Sequence, residues 1–278
     1  MRLLNLAIGV AFAFMAAPAF AQGCTSPVPT ADLITAGTLE MAINPTLPPQ
    51  QFIDENGDLK GLNVDLGREI AKRLCLKMSF VRMDFPGMFP ALAAARFDGI
   101  DTGMFWTAER SKIAYTVPYA MQAISVVLPK NSALKMPDAA SLGGHSAGVE
   151  VNSYQERWLR AFDKDNITKG GKPVDIHAFT TATDVLAAMN AGQIEVAILI
   201  DQTAREMVQR GFARIDATGL GGAPTTLVFR NKAVAAAVAD VLNAMRADGY
   251  YDALFDKYGL TRFPKEPFAI RGPGPGPG

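Results

Sequence analysis

Hydrophobic and polar positions alternate between short apolar runs and longer stretches in which only one face is apolar. Val64, Leu66, Ile70, Ala71 and Leu74 recur at three-to-four spacing, with Arg68, Glu69, Lys72 and Arg73 between them. That pattern predicts a helix over 63–74 with one buried face. Apolar runs at 39–43, 78–81 and 99–104 read as buried strands around it. Pro45, Pro48 and Pro49 stop the first of these from continuing, because proline lacks the donor that a sheet ladder needs. Asp54-Glu55-Asn56-Gly57-Asp58 is a polar turn, and a short helix is expected at 31–36, ended by Gly37. Pro90 opens a further helix running to 95, at a first-turn position where proline is tolerated.

The same rhythm resumes downstream. Strands are predicted at 125–128, 146–149, 175–179, 196–200 and 227–230. Helices are predicted at 153–162, 183–191, 202–209, 232–246 and 250–257, the last ended by Gly259. Alternating strands and helices predict an α/β fold with right-handed crossovers. The Gly-Pro tail at 271–278 is expected to be disordered.

Composition narrows the partners. The 278 residues suffice for one large domain or two modest ones. The 27 basic and 27 acidic side chains balance, so no overall field points to nucleic acid or an anionic membrane. At the start, Arg2 precedes an almost unbroken apolar run over 3–17, and Ala19-Phe20-Ala21 has the small-x-small form of a cleavage site. Residues 1–21 therefore read as a signal peptide removed after Ala21, with the mature chain exported to the periplasm. Two cysteines remain, Cys24 and Cys75. In an oxidising compartment they can bridge; two free thiols, or lipidation of Cys24, are the alternatives. His145 and His177 read as surface residues, and no cluster has metal-ligand spacing.

Several motifs in fixed order resemble the family-3 extracellular solute-binding proteins that serve amino-acid importers. They are Gly37-Thr38-Leu39, Asp54-Glu55-Asn56-Gly57, Gly61-Leu62-Asn63-Val64-Asp65-Leu66, Phe89-Pro90-Ala91-Leu92, Phe97-Asp98-Gly99-Ile100, and Thr107-Ala108-Glu109-Arg110 leading to Pro118-Tyr119. The resemblance covers nearly all of the mature chain. It implies the two-lobed type II periplasmic-binding-protein fold, each lobe a mixed sheet flanked by helices. Lobe 1 would comprise 24–120 and 223–270, and lobe 2 would comprise 121–222, with hinge segments near 121–124 and 219–225. It also implies a monomer without a cofactor, whose partners are a small amino-acid-like ligand and the membrane subunits of an ABC transporter.

The site residues follow from the same resemblance. Arg110 matches the family arginine that grips a carboxylate through its planar fork. Asp201, after the apolar strand at 196–200, matches the aspartate that receives an α-ammonium. Read alone, it is a helix N-cap. Gly103 fits a position whose backbone meets the carboxylate, and Asn152-Ser153-Tyr154 forms a strand-to-helix turn whose free N–H groups suit an anion. Phe85, Asn44 and Leu47 align with pocket-lining positions.

Departures from the family pattern put the solute's identity in question. Phe105 replaces a usual serine or threonine, Leu47 an aromatic, Gln50 a phenylalanine, and Asn152 a glycine. Phe105 and Trp106 alternate at a strand end, so one should face the cleft and the other the core. Asp101, on a strand read as buried, either faces the cleft or caps a neighbour. Two rival readings share this fold. One is a cyclohexadienyl-dehydratase-like enzyme with Glu150 or Glu195 as general acid, although both read as surface residues. The other is an accessory protein of a periplasmic quinoprotein dehydrogenase.

Overall fold

The computed structural model describes residues 24–276; the expected signal peptide lies outside them. The amino-terminal part contains β1 (Thr38–Ile43), the short strands β2 (Thr46–Leu47), β3 (Gln51–Ile53) and β4 (Leu59–Lys60), helix α1 (Leu62–Arg73) and strand β5 (Lys77–Arg82). Helix α2 (Met88–Ala93), strand β6 (Gly99–Phe105), the one-turn helix α3 (Arg110–Ile113) and the long strand β7 (Tyr115–Pro129) follow. Then come β8 (Ser146–Glu150), α4 (Tyr154–Thr168), β9 (Asp175–Phe179), α5 (Ala182–Asn190), β10 (Val196–Ile200) and α6 (Asp201–Gln209). The long strand β11 (Ala213–Phe229) and helices α7 (Lys232–Ala247) and α8 (Tyr250–Tyr258) complete the order.

One eight-stranded mixed sheet runs through the molecule in the order β5-β1-β6-β11-β7-β10-β8-β9, and β2, β3 and β4 form a small separate sheet. Helix α1 turns Leu62, Val64, Leu66, Ile70 and Ala71 inward, as its spacing predicts. Gly67 lies on that face. A Cβ there would press to about 3.0 Å on Asp101 and Phe80. The strands at 175–179 and 196–200 and the helix start at 232 appear where the sequence places them.

Several local expectations are corrected. The segment at 31–36 forms only a 3-10 turn, Thr30–Asp32. Helix α2 begins at Met88, two residues before Pro90, whose missing N–H is harmless because first-turn donors have no intrahelical partner. The largest difference lies in β7 and β11, 15 and 17 residues long, where the sequence predicts four-residue strands. They pair antiparallel along most of their length, with Ala223 opposite Gln122 and Leu220 opposite Ile124. The segments that the resemblance marks as hinges face each other there. The register shifts between Ala217 and Leu220 and again between Leu220 and Ala223. Gly219 and Gly221 adopt φ values of 76° and 57°, as these interruptions require.

The core divides on either side of that stretch. Leu39, Leu66, Ile70 and Leu74 pack with Val238, Leu242, Tyr251 and Phe255, so both ends of the chain build one cluster. Val126, Val149, Leu159, Val185, Met189 and Ile198 build a second, which also takes in Leu47 and Phe105. Cys24 and Cys75 are joined in a disulfide with Cα atoms 5.5 Å apart, tying the start of the described chain to the end of α1. Cys75 itself has φ of 56°. The tail differs from the expected disorder over 271–276. The Arg271 and Gly274 N–H groups donate to the Thr116 and Ser111 carbonyls at 2.8 and 2.9 Å. Trp106 is not in the core. Its indole N–H donates to Thr116 Oγ1 at 3.1 Å, and the Arg271 guanidinium stands 4.7 Å from its ring.

Candidate functional site

The carboxyl ends of β6, β8 and β10 meet at one crevice, the usual position for a site in an α/β sheet. Leu47, Phe85, Gly103, Phe105, Arg110, Glu150, Ser153, Tyr154 and Ile200 line it. Contacts cross it at several points. Asn44 Nδ2 donates to Glu150 Oε1 at 2.9 Å, Arg110 Nη2 donates to the Asn152 carbonyl at 3.2 Å, and the rings of Phe105 and Tyr154 stack with centroids 4.3 Å apart. The halves are closed on one another here, and the cavity that these residues line holds about 10 Å³ of free space. That admits about one water.

Arg110 opens α3 and is buried. Its Nη1 donates to the Phe105 carbonyl at 2.9 Å, and its guanidinium stands 5.4 Å from the Phe85 ring and 5.9 Å from the Phe89 ring. Burial, aided by Arg157, lowers its pKa to about 9, so it stays a cation at neutral pH. Neither Nη bond uses a carboxylate.

The turn at 151–154 keeps its shape without the family glycine. Asn152 takes φ of 60°, a region that asparagine tolerates, and its N–H donates to Glu156 Oε2 at 2.7 Å. Ser153 caps α4 by accepting the Glu156 N–H at 3.0 Å. Gly103, with φ of 66°, has no room for a side chain because a Cβ would overlap Gln50 Oε1. Its carbonyl accepts from Gln122 Nε2 at 2.7 Å, and Gln50 Nε2 donates to Gln122 Oε1 at 2.9 Å.

Two carboxylates exchange the places that sequence reasoning gives them. Asp201, the first residue of α6, does not line the cavity; its Oδ1 accepts the Ser125 hydroxyl at 2.7 Å. Ile200, its neighbour, is the lining residue. Glu150, read as a surface residue, is 4% exposed and faces the cleft. Desolvation pushes its pKa up to about 8, against the bond from Asn44; Asp84 raises it further and Arg110 opposes. The available signal was that Glu150 directly follows the apolar run of β8, as Asp201 follows β10. Glu195 does lie at the surface, held below the usual range by the Ser146 N–H at 2.9 Å and by His145.

Asp101 neither faces the cleft nor caps a neighbour. It is fully buried, both carboxylate oxygens lack a hydrogen-bond partner, and burial raises its pKa well above the ordinary value.

Comparison with known proteins agrees with this architecture. Residues 39–261 match the bacterial extracellular solute-binding proteins, family 3. The lysine/arginine/ornithine-binding periplasmic protein of Escherichia coli (strain K12) is 28% identical over 233 residues, 80% of this chain and 87% of that protein. The L-cystine-binding protein TcyJ of the same strain is 26% identical over 228 residues, covering 80% and 82%. An ancestral arginine-binding protein bound to arginine superposes with a TM-score of 0.73 at 29% identity, over 80% of this chain and 98% of that one. With the family match spanning both core clusters and the crevice between them, the chain belongs to the family-3 bacterial extracellular solute-binding proteins.

Proposed function

We propose that the protein captures an amino acid or amino-acid-like solute between its two halves in the periplasm and delivers it, as a monomer, to an ABC importer. One observation carries the reading: a guanidinium and a carboxylate from opposite halves, Arg110 and Glu150, line one buried cleft. The named relatives, binding proteins for amino acids, support it. A guest held by both halves makes more contacts when they are closed, so binding shifts the population toward closure. Lobe 1 at 24–120 and 223–270 would move against lobe 2 at 121–222, bending where the β7–β11 ladder is interrupted. Arg110 would take the guest's carboxylate, with Phe105 and Tyr154 parting to admit it. Asp201, one residue beyond the lining Ile200, would exchange its Ser125 bond for the α-ammonium.

A thermal-shift screen of amino acids, opines and small carboxylates tests this. A ligand at a hundred times its Kd stabilises the native state by about 2.7 kcal/mol, which raises the melting temperature. No shift with any member would remove the reading. A second reading rests on Glu150 alone, because a buried carboxyl with a pKa of about 8 suits a general acid. Incubation with prephenate or arogenate decides it: no absorbance from an aromatic product means no dehydratase.

A further inference from the structure

We infer that Glu150 is the specificity-determining residue of the cleft, requiring a positively charged, donor-rich group on the guest distinct from the end that Arg110 holds. This rests on the reading of the cleft as a solute site. Arg110 and Glu150 line the same cavity but form no ion pair with each other. Arg110 spends its Nη donors on two carbonyls, and Glu150 receives the neutral amide of Asn44. A buried guanidinium without a counter-ion is costly, as is ionising Glu150 in the closed cleft, and a guest carrying both signs offsets both costs.

Besides the Asn44 amide, the Ala182 N–H donates to Glu150, but other buried acceptors go unmet. Asn44 Oδ1 and Gln50 Oε1 are buried acceptors without partners. Asn44 is the residue bonded to Glu150, and Gln50 packs over Gly103 on the cavity wall. An ammonium or guanidinium brings roughly three to five N–H donors, whereas an apolar side chain brings none. The charged groups facing Glu150 are Asp84, on the loop before α2, and Arg110 on α3. Asp84 adds negative potential, which favours a cation and opposes a second anion. In the closed cleft burial holds the Glu150 carboxyl in its protonated form at neutral pH, and a cation seated against it takes the place of that proton.

Matched pairs isolate the charge. Calorimetry on the mature, disulfide-bonded protein would compare L-arginine with L-citrulline and L-ornithine with L-norvaline, in wild type and Glu150→Gln. The charged member should bind at least about tenfold tighter in wild type, and the ratio should fall to about threefold or less in the variant. Citrulline, which closes the cleft without a cation, should take up a proton at pH 7, seen as a heat that varies with the buffer's ionisation enthalpy; arginine should not, and the variant should show none with either. If Glu150→Gln does not fold, the wild-type ratio itself decides, and it must shrink several-fold between pH 8 and pH 6. Neutral members binding as tightly as charged ones, or a ratio that survives in the variant or at pH 6, would overturn the role of Glu150 and leave amino-acid capture standing. Failure of all four to bind overturns the role as well, and capture falls with it only if the wider thermal screen is also silent.

Discussion

Replacing Glu150 with glutamine should close the empty protein. With the halves apart, Glu150 meets water and titrates near its ordinary value of 4.5; in the closed cleft desolvation raises that to about 8. Closing without a guest therefore takes up a proton anywhere between these values. Each unit is worth about 1.36 kcal/mol, so at pH 7 the penalty is about 3 kcal/mol, or roughly two orders of magnitude in the closed population. The sign is fixed by the direction of the shift. The group is raised in the closed form, so empty closure is favoured in acid, weakens as pH rises through 4.5, and levels off above about 8. Glutamine accepts the Asn44 amide without a charge and removes the penalty. Small-angle scattering of ligand-free protein reads the result as a smaller radius of gyration for Glu150→Gln than for wild type at pH 7. Wild type should contract toward the same value at pH 5. Identical curves for the two proteins at pH 7, with no change in wild type between pH 5 and pH 8, would refute the reasoning.

Three further outcomes are expected. Arg110→Ala should weaken binding of any solute found in the screen by roughly 2–5 kcal/mol, about thirty- to several-thousand-fold, measured by calorimetry; unchanged affinity would rule out its role. Replacing both Cys24 and Cys75 with serine opens a loop of sequence separation 51, for which chain entropy gives about 4 kcal/mol, read as a lower urea midpoint. Asp101→Val should raise stability by about 1–3 kcal/mol, because it removes two buried oxygens that have no partner. Its carboxyl is raised by burial, so wild type loses stability as pH climbs from the unfolded value near 4, and the variant should lose that slope in denaturation at several pH values.

The strand–helix alternation from 39 to 104 was legible because α1 buries one face at helical spacing, while β1 and β6 are short apolar runs buried along most of their length, and sequence reports both patterns directly. It failed along 115–124 and 213–226. Those residues pass between two cores, and Ala217 to Ala223 are mostly half-buried or exposed among glycines, so neither alternation nor an apolar run marks them as sheet. In the cleft, Arg110 and Phe105 were legible by motif and position. Glu150 was not, because its depth depends on Asn44, 106 residues away, and no local pattern carries that. The direction of the Asp201 carboxylate was not legible for the complementary reason. A carboxylate after a strand looks alike from sequence whether it faces a cavity or a neighbouring hydroxyl such as that of Ser125.

The two passages between the halves are hydrogen-bonded to each other, so they act as one ribbon. A single ribbon resists sliding and shear but gives in torsion, most readily where skipped rungs near Leu220 have already loosened it. If the halves swing as proposed, such a ribbon would give them one axis, and closure without a guest would return Phe105 to its stack on Tyr154. A jaw of that kind would meet its cargo at a fixed bite, leaving selectivity to the side chains that stand along the closing edge.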